Sequence, residues 1–156
     1  MYNIGFISWS SLTGDFNKTD WVTVLLLDLI KFGSAPETNL TFNMTPVDQI
    51  SKTIVELIQS RETVKATINL SETHTLTFKT IWTEICRQQM MEPHYLNVIE
   101  WRQKLDEHVK MNPQLLHGLQ LFSNALTDTF SEDKTATIGT ESDLNLPIFI
   151  KALLQK

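Results

Sequence analysis

The sequence predicts a helix-rich fold of the α+β or α/β class, with a small, three-stranded sheet in the N-terminal half. Residues 40–44 and 64–70 alternate between apolar and polar side chains, which is the pattern of half-buried strands. Residues 2–9 form a third apolar run, rich in aromatic and β-branched side chains. Helical patterns separate the three runs, and strands joined by helices are normally parallel. We therefore expect a parallel sheet, followed by a helical C-terminal half.

The length and composition indicate one folded domain. A chain of 156 residues with 42% hydrophobic and 20% charged side chains can bury a core without disulfide bonds. We expect a single domain over residues 1–156, with a β-α-β-α-β part over about 1–70 and a helical part over about 76–156.

The charge and the cysteine content narrow the function classes. The net charge is −5, and without a cluster of basic residues it argues against nucleic acid or an anionic membrane as a partner. Cys86 is the one cysteine, so an internal disulfide is excluded. The longest apolar run, near Val24–Leu27, is interrupted by Asp28 and is too short to span a bilayer. We see no signal peptide and expect an acidic, cytoplasmic protein.

Two helices are predicted between the strands. The first begins at Thr19 or Asp20, both of which are good N-caps, and ends at Gly33. Because it is apolar nearly all round, we expect it to be buried on more than one side. The second begins at Pro46 and runs to about Ser60, with its apolar residues on one face.

The C-terminal half reads as helices. Apolar stripes predict one helix over about residues 77–91 and another over about 98–109. The strongest stripe lies in Asn112–Phe130, where apolar residues recur every three or four positions, so we expect it to be a core helix. Ser131–Asp143 is a polar loop, and Leu146–Leu154 is a short last helix with a proline in its first turn.

The loop after the first strand is a candidate ligand site. Ser10, Ser11 and Asp15 would lie beyond the carboxyl end of a parallel strand, where α/β sheets usually bind ligands. The loop has one glycine and no lysine in a phosphate-binding arrangement, so a solvated connecting loop is the favoured interpretation.

The residues that bind metals or act as nucleophiles form no motif. The four histidines are not spaced as a zinc signature, and we expect no metal and no cofactor (His74, His94, His108 and His117). Cys86 lies on the apolar stripe of its helix, so we expect a packed core thiol rather than a nucleophile.

A second apolar flank accompanies the helix over 98–109. Tyr95, Leu96, Ile99 and Trp101 bring aromatic and aliphatic side chains to this region, and such groups anchor protein partners when exposed. Burial of this flank under the C-terminal helix is the alternative that we favour.

The N-terminal features follow a familiar order. A first strand ends Phe6-Ile7-Ser8, a polar loop contains Asp15, and a helix opens near Trp21 and ends at a glycine. This order is similar to that of a TIR domain. The resemblance implies that Glu84, on the helix after the third strand, would be the NAD-cleaving residue. The tryptophan that often precedes that glutamate by a full turn is out of step, because Trp82 is only two residues away.

Two function classes follow from these patterns. The first is a non-enzymatic protein–protein interaction module (an adaptor, assembly or regulatory protein) that acts through helical surfaces and binds a protein partner or a second copy of itself. The alternative is a TIR-like domain that binds or cleaves a nucleotide such as NAD, with Glu84, Ser10, Ser11 and Asp15 at its site. The sparse catalytic signal favours the first class and a chain that is not an enzyme.

Overall fold

The computed structural model describes residues 2–4, 6–60, 68–70, 74–111, 117–128 and 145–155. Six helices and seven short strands lie within these ranges. They are β1 (Tyr2–Ile4), β2 (Ile7–Ser8), α1 (Trp21–Phe32), β3 (Ala35–Pro36), β4 (Thr41–Pro46), α2 (Val47–Gln59), β5 (Ile68–Leu70), β6 (His74–Thr77), α3 (Phe78–Gln88), β7 (Tyr95–Leu96), α4 (Val98–Met111), α5 (His117–Asp128) and α6 (Leu146–Leu154).

The chain divides into two compact units that are interleaved in sequence. Unit 1 contains Met1–Phe16, Leu40–Ile81 and Ala136–Lys156, and unit 2 contains Asn17–Asn39 and Trp82–Thr135. The prediction of a single domain over residues 1–156 stays a prediction. No helix in the described ranges is both long and apolar enough to cross a membrane.

The strands of the described ranges form small sheets in a helix-rich, mixed α/β fold, which confirms the coarse fold class. We predicted one parallel, three-stranded sheet, whereas the described ranges contain three small sheets, one of which has an antiparallel pair. The predicted first strand supplies β1, which pairs in parallel with β5, and β2, which pairs in parallel with β4. The three-stranded sheet has the order β2-β4-β6, and its β4–β6 pair is antiparallel. In unit 2, the two-residue strands β3 and β7 pair in parallel.

The centre of unit 1 is β4, whose predicted alternation is confirmed. Phe42 and Met44 are buried, whereas Asn43 is half-buried on the other face. Across the antiparallel pair, Thr75 Oγ1 donates to Asn43 Oδ1 at 2.7 Å, and Leu76 is buried opposite Phe42. This cross-strand pairing fixes the register of β6, which is too short and polar to be predicted as a strand.

The helix α1 of unit 2 matches its prediction closely. Asp20 is the N-cap and accepts from Val22 N at 3.1 Å, and Gly33 closes the helix with φ 74°. Leu25, Leu26 and Leu29 are fully buried, as expected for a helix that is apolar nearly all round, and buried Asp28 Oδ2 accepts from Gly118 N on α5.

The core of unit 2 also contains α4 and α5. The described part of the predicted Asn112–Phe130 helix buries Leu119, Phe122 and Leu126; its ends, residues 112–116 and 129–130, lie outside the described ranges. Ser131–Asp143 and residues 64–67 also lie outside them. In unit 1, α6 has the predicted bounds and buries one face.

Candidate functional site

The loop Ser10–Asp15 lies at the edge of unit 1 where two parallel strands end. Ser8 of β2 is the register partner of Pro46 of β4, so both carboxyl ends meet at this edge. The loop continues from β2, and α2 begins directly after β4. Because α/β sheets bind ligands at this edge, the loop is the candidate site.

The loop is held by its own backbone hydrogen bonds and by a short serine and threonine network. Ser10 N donates to Asp15 O at 2.8 Å, and Gly14 N donates to Ser10 O at 2.9 Å. Leu12 N and Thr13 N donate to Ser10 Oγ, and Asp15 N donates to Thr13 Oγ1. With Ser11 N bound to Asp48, every backbone N–H from residue 10 to residue 15 has a partner inside the protein.

Asp48, in the first turn of α2, clamps the loop. Its carboxylate accepts from Ser11 N and from Ser11 Oγ, both at 2.7 Å, and Asn145 Nδ2 donates to Ser11 O at 3.0 Å. Burial is the largest single effect and raises the pKa of Asp48, but the hydrogen bonds from Ser11, from the backbone of Asp48 and from Ser10 together lower it more, so the pKa lies below its ordinary value. A carboxylate is also favoured at a helix N-terminus.

The other side of the loop rests on α6. Gly14 has φ 76°, and a Cβ built on it would lie 2.8 Å from Ile148 Cγ2 and 2.9 Å from Ile148 O. Trp9 stacks on Phe149 with ring centroids 3.9 Å apart, and the Phe16 ring meets Phe149 edge-on at 5.4 Å. The loop therefore has a fixed shape set by α2 on one side and α6 on the other.

The exposed surface of the loop is partly apolar. Leu12 is 75% exposed, Thr13 and Asp15 are also exposed, and the Thr13 hydroxyl donates to Asp15 Oδ2 at 2.8 Å. A phosphate group needs free N–H donors and no competing anion. Here the backbone donors are engaged, and the carboxylates of Asp15 and Asp48 are close by, so the loop does not fit the pyrophosphate of a dinucleotide.

We expect Asp48→Asn to destabilise unit 1 by about 1–2 kcal/mol near neutral pH, because one of the two donors of Ser11 then faces an amide NH₂ group. The folded pKa of Asp48 is lowered, so its contribution is present above the ordinary pKa and is lost as the pH falls through the folded value. Urea unfolding of both proteins from about pH 6 to about pH 3 should show the difference shrinking toward acid. An equal difference at every pH would contradict this assignment.

Glu84 lies in α3, and its carboxylate accepts hydrogen bonds from two neighbouring side chains. Arg87 donates to it through Nε and Nη2, each at 2.7 Å, and Gln88 Nε2 donates at 2.7 Å. The hydrogen bond from Arg87 is the main reason why the pKa of Glu84 lies below its ordinary value. Glu84 is thus held as a carboxylate in a structural ion pair, and nearby Trp82 is buried.

The four predicted interface residues do not share one exposed surface. Tyr95 and Leu96 are half-buried in β7, and Tyr95 Oη lies 2.9 Å from Thr83 Oγ1. Trp101 is 0% exposed, with Nε1 donating to Ser34 O at 3.2 Å, whereas Ile99 is 71% exposed. Of the four, Trp101 is a core residue because the stripe of α4 faces inward at that position.

The remaining candidates give no reactive cluster. Among the described residues there is no group of three or more His, Cys, Asp or Glu side chains that could hold a metal ion. Cys86 is fully buried, burial raises the pKa of its thiol, and the predicted core role is confirmed.

Asp48 and Asn145 were not predicted as site residues. The signal for Asp48 was an acid in the first turn of α2, and Asn145 has no comparable signal in the sequence.

Comparisons with known proteins give the fold a precedent. No protein-family model matches the chain. A stretch of 51 residues is 33% identical to the L-2-aminoadipate reductase large subunit of Candida glabrata, and this covers 33% of this chain and 4% of that protein. The chain thus spans a very small part of the curated relative that it matches.

Solved reductase domains match almost the whole chain. The terminal R domain of the myxalamid PKS-NRPS pathway has a TM-score of 0.69 and 21% identity, and covers 99% of this chain and 43% of that one. A thiolation-reductase di-domain from an archaeal non-ribosomal peptide synthetase has a TM-score of 0.70 and 15% identity, with 99% and 35% covered. The R domain of a nonribosomal peptide synthetase from Mycobacterium tuberculosis has a TM-score of 0.67 and 16% identity, with 99% and 45% covered.

These findings correct the functional prediction. The solved neighbours are reductase domains, so the prediction of a non-enzymatic adaptor, assembly or regulatory module is wrong, and so is the TIR-like alternative. The prediction relied on a surplus of apolar helix faces, yet of the four residues named for it Trp101 is buried and Tyr95 and Leu96 are half-buried. The fold of this chain is similar to that of part of these solved domains, of which it covers 43% and 35%.

Proposed function

We propose that this chain is the substrate-side part of a reductase, which works together with a dinucleotide-binding segment to reduce an acyl thioester. One observation supports the proposal: solved reductase domains match 99% of this chain with TM-scores of 0.67 to 0.70, and the chain covers 35% to 45% of their length. The weaker match to an aminoadipate reductase supports the same class of reaction.

We assign this chain to the substrate side because its glycines lack the spacing of a dinucleotide-binding fingerprint. The dinucleotide fingerprint needs glycines two and then three residues apart after a strand. This chain has five glycines, and the two closest, Gly5 and Gly14, are nine residues apart. The candidate loop also has its backbone donors engaged, so the residues present do not fit a nicotinamide dinucleotide, and we assign its binding to another segment.

The archaeal neighbour supports a thioester as the substrate class, because there a reductase is joined to a thiolation domain. Reduction of an acyl thioester adds hydride to the carbonyl carbon, breaks the C–S bond, and yields an aldehyde and a free thiol after one proton is taken up. We assign contact with the acyl group to the Ser10–Asp15 loop, because its exposed Leu12 and the Thr13 methyl group suit an apolar chain better than a phosphate.

The test is equilibrium binding to the 156-residue chain, with octanoyl-N-acetylcysteamine as the thioester and NADPH as the dinucleotide, both followed by NMR. We expect the thioester to shift the amide signals of residues 10–15, and NADPH to shift none of them. Leu12→Asp should weaken thioester binding, and Leu121→Asp is the matched control, because Leu121 is 59% exposed on α5 of unit 2. Saturable NADPH binding to the chain alone, or thioester shifts that are confined to unit 2, would contradict the proposal.

A further inference from the structure

Three partly exposed apolar side chains lie on the segments that meet at the candidate loop. Leu12 in the loop is 75% exposed, Val47 at the start of α2 is 39% exposed, and Ile148 in the first turn of α6 is 37% exposed. Exposed apolar side chains that lie together mark a binding surface. These three give the loop an apolar surface that is wider than Leu12 alone.

Hydrogen bonds of Ser11 hold this surface together. Ser11 N donates to Asp48, the residue after Val47, and Ser11 O accepts from Asn145, which lies three residues before Ile148. The exposed leucine that follows Ser11 is therefore fixed between the start of α2 and the start of α6.

Two carboxylates border the apolar surface. Asp15 is exposed, and its Oδ2 accepts from the Thr13 hydroxyl at 2.8 Å, which holds this carboxylate beside the loop surface. Asp48 is half-buried, and the hydrogen bonds from Ser11 hold it in the charged form. Of the two carboxylates, that of Asp15 is the more accessible to a bound molecule.

The cations of the same segments do not offset this negative charge. Lys52 Nζ lies 4.0 Å from Glu56 Oε1, so these two charges on α2 compensate each other. Lys151 is exposed on α6, further along the helix than the turn that contacts the loop. With Asp15 and Asp48 included, the loop, α2 and α6 together have a formal charge of −1.

We infer that the loop selects acyl chains by charge, with Asp15 as the specificity-determining residue. A chain that ends in a cationic group binds best, a neutral chain binds less tightly, and a chain that ends in a carboxylate is rejected. The methylene groups lie on Leu12, Val47 and Ile148, and the carboxylate of Asp15 acts on the charge at the end of the chain. The inference rests on the proposed function and names the class of acyl group that its site takes.

The test uses three N-acetylcysteamine thioesters with eight-carbon acyl chains, titrated against the 156-residue chain and followed by NMR. They are octanoyl, 8-(trimethylammonio)octanoyl and 7-carboxyheptanoyl, which differ in the charge at the far end. We expect the Kd of the carboxylate thioester to be at least about fivefold that of the cationic one at low ionic strength. The ratio should approach one at about 0.5 M NaCl, because salt screens exposed charges.

Asp15→Asn removes the charge and keeps an oxygen that can accept from the Thr13 hydroxyl. In this variant we expect the ratio of the two Kd values to fall to about twofold or less. Asp106→Asn is the matched control, because Asp106 is an exposed aspartate on α4 of unit 2, and it should leave the ratio unchanged. The amide spectrum of each variant shows whether its fold is kept.

The inference is overturned if the ratio persists in Asp15→Asn, or if the carboxylate thioester binds most tightly, as it would if Lys151 set the selectivity. Equal Kd values for three thioesters that all shift the amides of residues 10–15 contradict the inference and leave the proposed function standing. If no thioester shifts these amides, both are wrong. Charge-selective binding by a chain that supports no aldehyde formation leaves the inference standing and contradicts the proposed function.

Discussion

Trp101→Ala is expected to lower the free energy of unfolding of unit 2 by about 3–5 kcal/mol. The indole is 0% exposed, and its edge-on contacts with Phe32 and Phe122 have ring centroids 5.9 Å and 6.1 Å apart. Alanine would leave a large cavity in the core and would also remove the donor to Ser34 O. For a domain of this size the loss corresponds to a decrease in Tm of about 10 °C.

The control for this prediction is Ile99→Ala, two residues away on the same helix. Because Ile99 is 71% exposed, its truncation should change the unfolding free energy by less than about 0.5 kcal/mol. Thermal unfolding and amide hydrogen exchange in α4 would measure both variants. Similar losses for the two would mean that Trp101 is not a core residue.

Gly14→Ala is expected to destabilise unit 1 by about 2–4 kcal/mol, through backbone strain and a collision together. The residue has φ 76°, and the added Cβ would lie within 3.0 Å of three atoms of Ile148. Because two of those atoms belong to the backbone of α6, relief requires the helix or the loop to move.

Gly33→Ala separates the backbone strain of a positive φ from the collision of the added Cβ with a neighbour. Gly33 has φ 74°, nearly the same conformation, but a Cβ there would meet nothing within 4 Å, so only the strain of about 1–2 kcal/mol applies. Amide exchange in α6 should accelerate in Gly14→Ala and stay unchanged in Gly33→Ala. Unchanged exchange of α6 in both variants would contradict the packing described for the loop.

The helices were predictable because their signals are local. Asp20 and Gly33 mark the two ends of α1 by capping chemistry, and the proline in the first turn of α6 does the same for its start. The strands were less predictable, because β6, β3 and β7 are short and depend on partners distant in sequence. Thr75, for example, is in a strand because of its pairing with Asn43.

The position of the loop was predictable, whereas its role as a ligand site stays a prediction. The order of strand and loop placed Ser10, Ser11 and Asp15 beyond the carboxyl end of a strand, but the hydrogen bond from Ser11 to Asp48 depends on a contact across 37 positions of sequence. The likeness to reductase domains could not be read from the residues, because a dinucleotide-dependent reductase is recognised by its glycine fingerprint and this sequence has none.

NADPH oxidation on octanoyl-N-acetylcysteamine, with aldehyde formation as the second readout, measures whether this chain supplies the substrate side of a thioester reductase. We expect no turnover by the 156-residue chain alone, none by the unmatched, NADPH-binding portion of the myxalamid R domain alone, and aldehyde when the two are mixed. Turnover by this chain alone, or a mixture that forms no aldehyde, would contradict the proposed function.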